Sequence, residues 1–165
     1  MIRAERADDE DAIRSVETAA FGRELEAKIV DDVRASDAFV RDLSLVAEDG
    51  GDVVGHVLVS RGHVEPSREP ILLLGPIGVL PERQGQGIGR ALVEAALEGA
   101  RRLGASCVAL IGEPALYERF GFVHAEPLGI LPPAGWPSRP FQVVVLDAEA
   151  QLPQGRVAFS DAFPS

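Results

Sequence analysis

The chain has 165 residues with 46% hydrophobic content, enough for a substantial core and too apolar for a disordered protein. Twenty-six acidic residues against 16 basic ones give a formal charge of −10, which argues against a general nucleic-acid binder. A single cysteine, Cys107, excludes an internal disulfide and fits a reducing compartment.

In chain order, "IRAER" at 2–6 reads as a short strand. "DDEDAIRSVETAAF" reads as a helix that opens with carboxylates, which favour its N-terminal dipole. Ile13, Val16, Ala20 and Phe21 share one face of it. A second helix is expected over about 22–35, with Leu25, Ile29, Val30 and Val33 inward. "SLVAEDGGDVVGHVLVS" reads as a hairpin turning at "DGGD". "ILLLGPIGVL" at 71–80 is a buried strand broken by Gly75-Pro76 and Gly78, which suggests a bulge or a gap in pairing.

A helix over about 87–103 follows, its inner stripe Ile88, Leu92, Ala96, Leu97, Ala100 and Leu103, with Gly104 as a stop. "SCVALIG" at 106–112 is a second buried strand, and Cys107 within it reads as an inert core thiol. "EPALYERF" is a short helix ended by Gly121. "FQVVVLDA" at 141–148 and "GRVAF" at 155–159 read as strands. The pattern is mixed α/β, one domain over 1–165, with a β-α-β unit in the middle. The polar N-terminus and the lack of a long apolar segment predict a cytoplasmic protein without a membrane anchor. No spacing calls for a metal.

The stretch "QGQGIG" at 84–89 does not fit a Walker A loop, because Arg90-Ala91 stand where lysine and serine or threonine are needed. Its spacing also departs from the dinucleotide fingerprint. Two readings remain: a tight strand-to-helix turn, or a bare helix N-terminus open to a phosphate.

"GPIGVLPERQGQGIG" followed by "LIGEPALYERFGF" resembles the GNAT superfamily of acyl-CoA-dependent N-acyltransferases. Gln84, Gly87 and Gly89 match its Q/R-x-x-G-x-G/A loop. Tyr117 stands four residues before the Gly121-Phe122 pair. The resemblance implies a mostly antiparallel central sheet, splayed between two parallel strands and flanked by about four helices. It implies that the backbone of Ile77, Gly78 and Val79 pairs with pantetheine. It implies that the amides of Gly85, Gln86, Gly87, Ile88, Gly89 and Arg90 hold the pyrophosphate of acetyl-CoA, the acyl donor, with Gln84 also among the cofactor-binding residues.

Tyr117 then becomes the expected proton donor to the departing thiolate, since a phenol of pKa about 10 can donate to a thiolate of parent pKa about 8.5. The base is open between Glu113 and the strand histidines His56 and His63. The acceptor is expected to be a primary amine of a small molecule or peptide, attacking directly in a ternary complex, and a homodimer is allowed. Segments 20–27, with Glu24 and Glu26, and 124–140, with Trp136, are expected to wall the acceptor site. The rival reading is a non-catalytic acyl-CoA-binding sensor.

Overall fold

The computed structural model describes residues 1–159. Strand β1 (Ile2–Ala4) and a one-turn 3-10 segment lead into helix α1 (Glu10–Phe21), which ends at left-handed Gly22. Helix α2 (Leu25–Arg34) follows after three residues. The two long strands β2 (Phe39–Asp49) and β3 (Asp52–Glu65) form the expected hairpin, turning at Gly50-Gly51, both with positive φ. Next come β4 (Pro70–Val79), α3 (Ile88–Arg102), β5 (Cys107–Ile111) and the short α4 (Pro114–Tyr117). Strands β6 (Val123–His124), β7 (Ile130–Leu131), β8 (Phe141–Val145) and β9 (Gly155–Ala158) complete the order.

Among the described residues, all nine strands join one sheet, with the path β1-β2-β3-β4-β5-β8-β6. Strand β9 pairs antiparallel with the far end of β3 and parallel with β7. The β4–β5 pair is the parallel pair expected of a β-α-β unit, and α3 is its crossover. The β7–β9 contact is a second parallel pair, and the two-residue strands β6 and β7 are too short to leave a period-2 signature.

Residues of β4 alternate between faces: Leu74 joins the core under α3 and Leu73 joins the core on the opposite face. On α3, Leu92, Val93, Ala96, Leu97 and Ala100 are all buried, each large aliphatic side chain contributing about 1.5–3 kcal/mol. Gly99 lets this helix approach the sheet, since a Cβ there would stand 2.6 Å from Leu43 Cδ2. A third cluster joins Ile13, Val30 and Val33 of α1 and α2 to Val46 and Leu58 of the hairpin.

Three residues expected in the core are exposed: Leu103 past the end of α3, and Phe21 and Leu25 at the α1–α2 junction. Leu103 caps its helix outside the packed stripe. Phe21 and Leu25 wall the cavity described next.

Candidate active site

Strands β4 and β5 pair only through Leu72–Val108 and Leu73–Ala109. Beyond Leu73, β4 continues against β3 alone while β5 departs toward β8. The cause is local. Between the pairs Val59–Leu74 and Val57–Ile77, β4 spends two residues, Gly75 and Pro76, against the single Leu58. Gly75 has φ +139°, and proline has no N–H to give a ladder. The anticipated break is therefore a bulge. It leaves the β5-facing edge of the Ile77–Val79 segment without a strand partner.

A cavity of about 560 Å³ fills the splay. Its floor is Leu73–Ile77 of β4 and Ala109–Gly112 at the end of β5. One wall carries Phe21, Leu25 and Ile29 from the helical pair; another carries Trp136, with Phe159 edge-to-face on it at 5.2 Å between ring centroids. Segments 20–27 and 124–140 thus both reach this space. The Arg23–Glu26 ion pair, with contacts of 2.5 and 2.8 Å, lies at its edge. Arg23 holds the Glu26 carboxyl below the usual carboxylate range. Glu24, the other acidic residue expected there, is not among the lining residues.

Tyr117 and Glu113 come from opposite ends of the α4 turn and both line the cavity. The Tyr117 ring packs edge-on against Phe122 at 6.0 Å and lies so near Gly112 that a Cβ there would meet the ring at 2.6 Å. Burial pushes the Tyr117 phenol above its ordinary value. Glu113 is exposed and pairs with Arg139 at 3.3 Å. Ile77 shares the cavity with them, whereas Gly78 and Val79 continue β4 away from it.

The glycine loop lies past the end of β4. Gln84 turns back on that strand, its Nε2 donating to the Val79 carbonyl at 3.2 Å. Gly85 and Gly87 have φ +77° and +83°, a region costly for other residues, and a Cβ on either would meet nothing within 4 Å. Gly87 is the N-cap of α3, and the first intrahelical bond runs from the Ala91 N–H to the Gly87 carbonyl at 3.0 Å. The amides of Ile88, Gly89 and Arg90 precede it and lie at the positive end of the helix dipole. No acidic residue stands in this first turn. Gln86, Gly87 and Ile88 also line a separate hollow of about 340 Å³ beside β1 and the hairpin turn.

The three histidines separate. His63 pairs with Glu65 at 2.7 Å near the far end of β3, outside the cavity lining. His124 lies on exposed β6. His56 is fully buried, Nδ1 2.8 Å from Glu17 Oε1 and Nε2 2.9 Å from Ser44 Oγ. Ser44 donates to Glu5, and Glu5 pairs with Arg34 at 2.8 Å. Glu17 was not singled out by the sequence pattern. Its signal was a carboxylate inside the apolar stripe of α1, between Val16 and Ala20. Cys107 is buried, and burial pushes its thiol up, as an inert core thiol requires.

Residues 10–122 match the family model described as the acetyltransferase (GNAT) family. The uncharacterized N-acetyltransferase YjhQ of Escherichia coli K12 is 36% identical over 116 residues, 69% of this chain and 64% of that protein. This chain thus spans slightly under two thirds of YjhQ. The uncharacterized N-acetyltransferase YhbS of the same strain is 37% identical over 123 residues, covering 74% and 72% of the two chains.

Among solved structures, a GNAT family acetyltransferase from Brucella melitensis in complex with acetyl-CoA superposes with TM-score 0.83 at 36% identity, over 99% of this chain and 97% of that one. Escherichia coli YhbS in complex with CoA superposes with TM-score 0.90 at 31% identity, over 98% and 90%. Splayed strands, glycine-capped helix and matched sequence agree, and the chain belongs to the GNAT family of acetyltransferases.

Proposed function

We propose that this chain transfers an acetyl group from acetyl-CoA to a primary amine of a small molecule or peptide, by direct attack within a ternary complex. The observation that carries the proposal is the continuity of two open main-chain surfaces. The β4 edge at 77–79 has no strand partner and leads, through the turn at 80–87 whose Gln84 reaches back to the Val79 carbonyl, to the glycine-capped N-terminus of α3. An extended arm with amide groups followed by a diphosphate matches that sequence of donors and acceptors. Relatives crystallised with acetyl-CoA and with CoA support it.

In this reading Ile77, Gly78 and Val79 pair with pantetheine as an added strand. The main chain of Gly85, Gln86, Gly87, Ile88, Gly89 and Arg90 holds the pyrophosphate, and Gln84 braces the loop on Val79. The thioester then lies in the splay, where an amide of the 77–79 edge polarises its carbonyl. Tyr117 gives its proton to the departing thiolate. Its half-buried ring fixes the hydroxyl's position, and its raised pKa keeps it protonated, so that it meets the departing thiolate as a donor. Glu113, at the cavity mouth with Arg139, draws in and orients a cationic acceptor.

The acceptor's body faces Phe21, Leu25, Ile29, Leu116 and Trp136, so an amine on an apolar frame fits better than a polyamine. The test is calorimetric titration with acetyl-CoA, followed by thiol release across aromatic, aliphatic, polyamine and peptide amines. Binding with turnover of apolar amines is expected. Tight binding with no turnover of any amine would point to a sensor.

A further inference from the structure

The buried chain of groups between α1 and the β2–β3 hairpin has too few hydrogens for its contacts. Its three contacts are Glu17–His56, His56–Ser44 and Ser44–Glu5. With both carboxylates ionised and the imidazole neutral, only two hydrogens are available: one on the ring and one on the Ser44 hydroxyl. One contact then sets lone pair against lone pair. A single added proton fills the gap, and concerted shifts along the three contacts let it rest at either end.

The inner end is open. Glu17 Oε2 is fully buried without a hydrogen-bond partner. It lies against Gly78, where a Cβ would stand 2.9 Å from it. Gly78 adjoins Ile77, which lines the cavity, and Phe21, one helical turn beyond Glu17, lines it too. An unpartnered buried carboxylate oxygen costs stability, so its retention beside the cofactor strand calls for a use.

We propose that Glu17, His56, Ser44 and Glu5 form a one-proton sink for the acceptor ammonium, with Glu17 Oε2 as its port and a water past Gly78 as the link to the cavity. This rests on the transferase reading above. The steps balance. The ammonium gives one proton through the water to Glu17, and the chain closes. The neutral amine forms the N–C bond at the thioester carbonyl. The C–S bond breaks with its electron pair on sulfur, and the second nitrogen proton passes to the thiolate by way of Tyr117. Amide and thiol leave, and the chain returns its proton to water.

Glu17 is thus a relay residue acting through water. The other charges around it are few. Its carboxyl is pushed up chiefly by burial and pulled down by His56, while Glu26 on α2 adds a smaller upward push and is itself paired with Arg23. At the outer end, Glu5 meets Arg34, which also contacts Glu10 and Asp31. Ala20 and Gly78 bring no charge.

Glu17→Gln is the decisive variant, because a carboxamide supplies the third hydrogen permanently and mimics the loaded chain. With the full-length enzyme, acetyl-CoA and its best amine, kcat is expected to fall at least tenfold at pH 7. The rise of kcat/KM with pH that belongs to the chain should vanish, while acetyl-CoA affinity stays within twofold. Wild-type kcat and an unchanged pH limb in the folded variant would overturn the proposal.

Should that variant fail to fold, ring-nitrogen NMR of His56 in the wild-type enzyme decides. Uptake of one proton by the chain as pH falls through the limb on which kcat/KM changes supports the sink, and a constant occupancy overturns it. Failure of the transferase reading itself has a separate signature: the wild-type enzyme would release no thiol with any amine.

Discussion

Glu17 and Gly78 touch across the α1–β4 interface, the carboxylate occupying the space a β-carbon would take. The same imaginary atom would lie 2.9 Å from the Ala20 Cβ. Gly78→Ala must therefore push α1 off the strand or displace the carboxylate from His56. We expect a loss of about 1–3 kcal/mol, typical of overpacking, together with weaker acetyl-CoA binding. Denaturant unfolding and calorimetry check both, and a variant as stable as the parent would show the interface to be looser than described.

The glycine loop separates two effects of substitution. At Gly87, φ is +83° and nothing lies within 4 Å of a Cβ, so alanine there costs about 1 kcal/mol of backbone strain and no clash. Gly87→Glu adds a negative charge where phosphates are expected. Acetyl-CoA affinity should drop modestly in the alanine variant and more than a hundredfold in the glutamate variant, with both folded by circular dichroism. Equal affinities in the two variants would remove the diphosphate from this loop.

Tyr117→Phe keeps the ring against Phe122 and Gly112 and deletes the hydroxyl. Turnover is expected to fall about 10²-fold, in the range of a lost general acid, with acetyl-CoA affinity changed less than twofold. Steady-state and single-turnover thiol release measure it. A loss in affinity matching the loss in turnover would make the residue a packing element.

Acid stability should depend on Asp9. Arg3 reaches both its oxygens at 2.7 and 3.0 Å, and the Arg6 N–H donates at 2.6 Å. These contacts, led by Arg3, lower the Asp9 pKa below its ordinary value. A carboxylate lowered in the folded state gives stability that is complete above its unfolded pKa and is lost as pH falls through the folded one. Asp9→Asn should be destabilised at neutral pH, and the gap to the parent should close on acidification below about pH 4. A gap independent of pH, read from urea midpoints, would contradict this.

What was legible in the sequence is what is local. Gly75-Pro76 marked the bulge, Gly85 and Gly87 the loop, and Tyr117 before Gly121 the short helix with its turn. The proton chain was not legible, because its members come from the segment after β1, from α1, from β2 and from β3. Glu17 and His56 are 39 residues apart, as are Glu5 and Ser44. Phe21 and Leu25 sat at helical positions that usually mean core, and a period cannot tell a core wall from a cavity wall. Glu113 and His63 both stood as candidate bases on residue type, and the fold separates them, one at the cavity and one beyond it.

The central claim is that the main chain at 77–79 and 85–90 receives acetyl-CoA. Backbone amide NMR of the 15N-labelled protein, titrated with acetyl-CoA, tests it most directly. The account predicts saturable shifts concentrated at Ile77–Val79 and at Gly85–Arg90, with the Gly87→Glu variant silent at the same concentrations. Shifts confined to other elements, with both segments unmoved at saturation, would contradict it.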